Sequence, residues 1–249
     1  MSTQLIEYIA HMGDDLMVVN CARVSFGKVK KVLDSADEQL IEYLATGLRR
    51  AERNDLIRSI INAESSEDAN VLIDRIQSIQ KHWAPFAHPQ IQFRIECSIS
   101  VARQLHKHHI GMIVSEESRR YIDDSPEMTN HQSLFRKRAA DVKQGSGDLL
   151  EYHDMVFANS IYREAADDSD RAYRKLLAIG VAPEQARDVL TVGSLTTWIC
   201  TGSLYAWANL CRQRLDSHAQ KESGEIALIV AAICRELFPV SWKALLRDS

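Results

Sequence analysis

Polar and apolar residues alternate through Gln90-Ile91-Gln92-Phe93-Arg94-Ile95-Glu96, the period-two pattern of a strand with one buried face. Elsewhere the spacing is mostly helical. Leu40, Ile41, Leu44 and Leu48 recur at helical intervals between Asp37 and Leu48, and two further helical patterns cover Leu56 to Ile61 and Ala69 to Ile79. Ahead of them, the apolar run Leu5 to Ala10, ended by His11-Met12-Gly13-Asp14-Asp15, predicts a first strand and turn. Asp14-Asp15 then caps a helical stretch reaching Val24. Proline and histidine punctuation from Trp83 to Pro89 separates the helical stretch from the alternating strand. Beyond that strand, Ser98 or Ser100 caps a helix that carries Arg103, Gln104 and Lys107 before Gly111 interrupts it.

The second half of the chain is mainly helical in pattern. Asp148 to Leu177 reads as one long helix or two abutting ones, stopped by Gly180, and Pro183 opens a short helix. Val192 to Leu195 predicts a strand; Thr201-Gly202-Ser203 caps a helix from Leu204 to Arg214, and His218-Ala219-Gln220 opens a long helix to Phe238. There is no internal repeat, low-complexity tract or linker rich in Gly, Ser or Pro. One α+β domain over residues 1–249, helices packed on a small sheet, is the economical reading.

Charge and cysteine usage narrow the function classes. A formal charge of -4 from 30 basic and 34 acidic residues argues against a general binder of nucleic-acid polymers, which needs a net basic face, but leaves room for a local basic pocket. Cys21, Cys97, Cys200, Cys211 and Cys234 sit in apolar contexts without a C-x-x-C spacing, so buried thiols in a reducing compartment are expected. The amino terminus lacks a basic region followed by an apolar one, and no apolar run approaches the ~20 residues of a membrane span, so a soluble, cytoplasmic protein without membrane contact is expected.

The chemistry concentrates in two segments. Arg103-Gln104-Leu105-His106-Lys107-His108-His109, running on to Ser115-Glu116-Glu117-Ser118-Arg119-Arg120-Tyr121, groups cations, imidazoles, carboxylates and hydroxyls suited to a polyanionic ligand. Apolar flanks at Ile99 to Ala102 and Ile110 to Val114 predict that a buried scaffold holds them. No H-E-x-x-H pattern accompanies the histidines, so no metal site is expected, and no G-x-S-x-G turn surrounds Ser118. A Walker loop and a G-x-G-x-x-G turn are also missing, so a nucleotide would need a less common scaffold. The second segment, Arg212 to Glu222, is either a helix terminus with basic residues at its dipole or a site in which an arginine faces a developing oxyanion.

These residues resemble the flavin-dependent thymidylate synthases. That family's signature R-Q-x-x-R-H-R-x-x-S-x-N-E-x-S-x-R-Y is matched in part by Arg103-Gln104-x-x-Lys107-His108-His109 and Ser115-Glu116-x-Ser118-x-Arg120-Tyr121, with one extra residue between them. Ala22-Arg23-Val24-Ser25, Trp83 to His88, Gln185-Ala186-Arg187 and Arg214-x-Asp216-Ser217-His218-Ala219-Gln220-x-Glu222 resemble further family segments in the family's order. The chain departs from the pattern at Lys107 and His109, which replace arginines; at Ser115, where asparagine is usual; and at Ala87, where glutamate is common. Ser203-Leu204-Tyr205 also takes the place of an N-A-R segment, and residues from about 50 to 81 look like a helical insertion.

The resemblance implies a homotetramer with active sites shared between subunits, reductively methylating dUMP to dTMP with methylenetetrahydrofolate as carbon donor, FAD as carrier and NADPH as reductant. Lys107, His108, His109, Asn209 and His218 would bind FAD, with Ser25 and Glu116 also toward the flavin and His88 near flavin or folate. Gln104, Glu116, Ser118, Arg119, Arg120, Arg187 and Arg214 would surround dUMP. Among these, Arg214 would stabilise charge on the uracil and Ser118 would position substrate, the two carrying the catalytic roles. The altered R-H-R segment leaves two alternatives open: a paralogue modifying another pyrimidine nucleotide, for instance by hydroxymethylation, or a non-catalytic nucleotide-binding protein.

Overall fold

The computed structural model describes residues 4–122, 124–127, 135–139 and 145–246. The first half of the chain runs β1 (Leu5–Met12), α1 (Asp15–Arg23), a 3-10 turn (Val24–Phe26), α2 (Ser35–Thr46), α3 (Arg50–Ile61), α4 (Ser66–Ser78), a second 3-10 turn (Ala84–Ala87), β2 (Gln90–Ser98) and α5 (Ile99–Leu105). Then follow β3 (Met112–Glu116), β4 (Arg136–Arg138), β5 (Ser146–Leu149), α6 (Tyr152–Ala178), α7 (Pro183–Ala186), β6 (Leu195–Ser203), α8 (Leu204–Arg214), α9 (Lys221–Leu237) and α10 (Pro239–Leu245). A four-stranded sheet has the order β1-β2-β6-β3, and β4 pairs antiparallel with β5 in a separate ribbon. Helices on a small sheet make this an α+β fold.

The alternating segment behaves as its pattern dictates. Ile91, Phe93, Ile95 and Cys97 of β2 are fully buried. On the polar face Gln92 donates to Thr201 Oγ1 at 2.7 Å and Glu96 accepts from Thr197 at 3.2 Å, side-chain pairs that join β2 to β6.

By its contacts the chain divides into two compact units, one of residues 1–9, 92–201 and 213–230, the other of residues 10–91, 202–212 and 231–249. In the first, α5 gains its N-terminal turn from an unexpected source. Ile99 and Ser100 donate their backbone N–H groups to the carbonyls of Ser194 and Val192, at 2.9 and 3.0 Å. This corrects the strand expected over Val192 to Leu195: those carbonyls serve the helix start, and β6 begins only at Leu195. In the second unit, the buried Asp15 carboxylate accepts from the backbone N–H groups of Val240 and Ser241 at 2.9 and 2.8 Å, and Trp207 donates to the carbonyl of Ile91 at 3.1 Å. Helices α3 and α4 occupy most of the segment read as an insertion.

Two further expectations change. Helix α5 ends at Leu105, so Lys107 lies beyond it, and the chain passes through Gly111, in the left-handed region at φ 75°, into β3. The apolar run Ile110 to Val114 does not sit on a buried scaffold within the protomer. Ile110, just before β3, and Ile113 and Val114 within it are exposed, and β3 lies at an edge of the sheet.

Candidate active site

Helix α8 ends at Arg214, and its guanidinium returns to the polar turn that follows α5. Arg214 Nε donates to His108 Nε2 at 3.0 Å and Nη2 donates to the carbonyl of Gln104 at 3.3 Å. Burial lowers the pKa of His108, as does the facing Arg214 cation, and burial also lowers that of Arg214 itself. A neutral imidazole accepting at Nε2 carries its proton on Nδ1. The opposite end of Gln104 is fixed too, because its side-chain carbonyl accepts from the hydroxyl of Ser223 on α9.

Gln104 and Arg214 open onto a cleft of about 690 Å³ that Arg136, Ser146, His218 and Glu222 also line, among others. The ribbon of β4 and β5 supplies Arg136 and Ser146, neither of which the sequence singled out; the basic run Arg136-Lys137-Arg138 was the available signal. Arg136 is held at 2.8 Å by Glu222, with both side chains largely buried. The Glu222 carboxyl lies below its usual range: burial pushes it up, but its own backbone N–H, Arg136 and Gln220 outweigh that. Gly145 enters the ribbon at φ 93°, and a Cβ there would stand 3.4 Å from the carbonyl oxygen of His218. His218 is exposed, with its Nδ1 3.0 Å from Asp216.

A second cleft, of about 420 Å³, lies in the same unit. Arg103, His106, Glu116, Glu117, Arg119 and Arg187 line it, together with Thr196. Thr196 donates to Glu116 at 2.7 Å, and the other carboxylate oxygen is 4.0 Å from His106 Nδ1. His106 packs edge-on against Trp198 with centroids 4.7 Å apart, its Nε2 buried without a partner among the described residues. Burial pulls the pKa of His106 down, with Glu116 opposing. Arg119 donates to the carbonyl of Asp124 at 2.6 Å.

The expected residues therefore fall into groups. Gln104, Arg214 and His218 line the first cleft, with His108 joined to it through Arg214, and Glu116, Arg119 and Arg187 line the second. Lys107 and His109 are exposed beside His108, while Ser118 accepts from the exposed Arg120 at 3.1 Å and lines neither cleft. Ser25, His88 and Asn209 lie in the other unit: Ser25 is exposed on the first 3-10 turn, His88 borders a cleft beside α1, and Asn209 accepts from Arg212 at 2.5 Å. No cluster of three or more histidines, cysteines and carboxylates suited to a metal ion occurs among the described residues. No helix among them is long and apolar enough to cross a membrane.

A family model described as thymidylate synthase complementing protein matches residues 5–240. Among curated relatives, the flavin-dependent thymidylate synthase of Thermosipho melanesiensis is 31% identical over 238 residues, covering 95% of this chain and 87% of the relative. That of Kosmotoga olearia is 31% identical over 243 residues (97% and 89%), and that of Pseudothermotoga lettingae is 28% identical over 242 residues (97% and 90%). Among solved structures, the UMP/dUMP methylase PolB from Streptomyces cacaoi bound with 5-Br UMP shares the fold, with a TM-score of 0.73 at 22% identity over 99% of this chain and 96% of that one. With the family model spanning nearly all of the chain and enzymes aligned along the same length, the chain belongs to the thymidylate synthase complementing protein family of methyltransferases.

Proposed function

We propose that the protein converts dUMP to dTMP by reductive methylation, with methylenetetrahydrofolate as carbon donor, FAD as carrier and NADPH as reductant. The observation that carries the reading is the meeting of Arg214, His108 and the Gln104 carbonyl. It joins sequence-distant family segments in one nucleotide-sized cleft.

The donor set there suits a flavin. Gln104, Arg136, Ser146 and Arg214 offer N–H and O–H groups around the cleft, and His218 stands at its edge. His108 and His218 would hold the cofactor, with Lys107 and His109 reaching its phosphates, Asn209 and Ser25 contributing across the assembly, and His88 standing near flavin or folate. When bound, the flavin supplies the redox and one-carbon chemistry that the side chains lack.

The protein groups do the binding and orienting. Arg214 is fixed through Nε and Nη2, leaving Nη1 for a pyrimidine carbonyl as negative charge builds on the ring. Arg119 and Arg187 would neutralise the nucleotide phosphate, and Glu116, held by Thr196, would also face the nucleotide. Among the described residues Ser118 pairs with Arg120 and no base adjoins it, so Ser118 would position substrate.

Within one chain, Gln104 and Arg214 line one cleft while Glu116, Arg119 and Arg187 line another. A homotetramer in which one protomer's second cleft faces its partner's first would unite them. This is the reason for proposing shared active sites.

Purified protein should show flavin absorption and form dTMP from dUMP, with dCMP assayed in parallel by product mass spectrometry. A colourless protein that takes up no FAD, or a product other than dTMP, would overturn the reading.

A further inference from the structure

The first 3-10 turn, Val24–Phe26, borders two clefts of opposite character in the same unit. One, of about 560 Å³, is mainly apolar, with Leu16, Met17, Val24 and Val29 around His88. The other, of about 600 Å³, is basic. Arg23, Lys28, Arg49 and Arg50 line it together with Phe26 and one face of α2 (Ala36, Gln39, Leu40, Tyr43), and no carboxylate lines it.

Four cations without a lining acid stand out in a chain of net charge -4. Two of them are engaged by residues behind the wall: Asp37 holds Arg23 at 2.6 Å and Glu42 holds Arg50 at 3.0 Å. Lys28 and Arg49 are exposed, and neither side chain has a carboxylate partner among the described residues. Phe26 is 77% exposed at the lip, a planar apolar surface beside the cations. Arg49 and Arg50 stand at the start of the segment read as an insertion, which gives that segment a share in the cleft.

We propose that the basic cleft bordered by Arg23, Lys28, Arg49 and Arg50 seats the oligo-γ-glutamyl tail of the folate co-substrate, whose ring system occupies the adjoining apolar cleft by His88. The proposal rests on the function proposed above. A ligand with a flat heterocycle at one end and a chain of carboxylates at the other matches an apolar cleft and a carboxylate-free basic cleft on either side of one turn. Lysine and arginine on open walls suit carboxylates spaced along a flexible chain better than one compact phosphate.

The test uses the FAD-loaded protein and isothermal titration with monoglutamyl and pentaglutamyl tetrahydrofolate. Wild type should bind the pentaglutamyl form roughly five- to tenfold more tightly, from two or more exposed ion pairs. That preference should shrink as salt is raised. The double variant Lys28→Glu/Arg49→Glu should lose the preference while keeping its monoglutamyl affinity and its FAD content; the milder Lys28→Ala/Arg49→Ala variant guards against a folding defect. Equal affinity for the two tail lengths in wild type overturns the proposal. So does a preference that survives both variants, or a loss confined to FAD or NADPH binding. Because titration does not need turnover, a tail preference in a protein that makes no dTMP would uphold the cleft and sink only the proposed reaction.

Discussion

Arg214 and His108, 106 positions apart, meet at 3.0 Å with the guanidinium donating to imidazole Nε2. The contact requires a neutral histidine: a protonated His108 has no lone pair to accept with, and it would set two cations against each other. Orientation of the arginine and neutrality of the histidine are one condition.

Arg214→Lys keeps a cation but loses the fork that spans His108 and the Gln104 carbonyl. Its kcat for dTMP formation should fall by roughly 10²–10³, the usual effect of removing a preorganised donor at developing charge. The melting temperature and flavin content should stay close to wild type. A variant with unchanged kcat would remove Arg214 from the chemistry.

Acid should loosen the same site. Burial holds the pKa values of both His108 and His106 below the ordinary 6.5, so the unfolded chain binds protons that the folded chain refuses as pH falls through that value. The stability due to neutral burial is present above about pH 6.5 and is lost as pH drops toward the folded-state values. Melting temperature should therefore decline on acidification from about pH 7 to 5, with a shallower slope in His108→Gln. Parallel slopes for the variant and wild type would mean that His108 is not held neutral.

Much of the fold follows from local pattern. The alternation at Ile91, Phe93 and Ile95 places one strand face in the core, and the cap at Asp14 and the start of α8 at Leu204 fall where the sequence puts them. What local pattern could not carry is pairing at a distance. Val192 and Ser194 have strand-like neighbours, yet their carbonyls are taken by the first turn of α5, a choice made by the tertiary fold. Ribbon β4 and β5 is too short to show a period, and α10 begins at Pro239 with no side-chain cap of its own. The candidate site was legible as motifs, through Gln104, His108, Arg214 and His218. Its partition between two clefts was not, because sequence spacing gives no information on which wall Glu116 or Arg187 will join.

Thiol chemistry should report on burial. Desolvation pushes Cys97 up to about 11 and Cys200 and Cys211 up to about 12, and Cys234 rises further still. Cys21 is only half-buried, and burial raises it as well. Native protein at about pH 8 should therefore label slowly with a thiol reagent and at Cys21 first, since the thiolate is the reactive form. All 5 cysteines should label once the chain is unfolded. Rapid labelling of Cys200 or Cys211 in native protein would contradict their burial.

Helix α10 offers the clearest test of stability. Its N-cap residue, Phe238, supplies no side-chain acceptor, and the first-turn N–H groups of Val240 and Ser241 depend instead on the two carboxylate oxygens of Asp15, from the start of α1. Asp15 is 4% exposed, so removing the carboxylate leaves two donors shielded from water. Asp15→Ala should cost about 2–4 kcal/mol, counting two charge-assisted hydrogen bonds and the desolvated groups left behind. Asp15→Asn keeps one acceptor and should cost roughly half as much. Urea unfolding followed by circular dichroism would measure both, and an Asp15→Ala variant as stable as wild type would show that α10 needs no cap from α1.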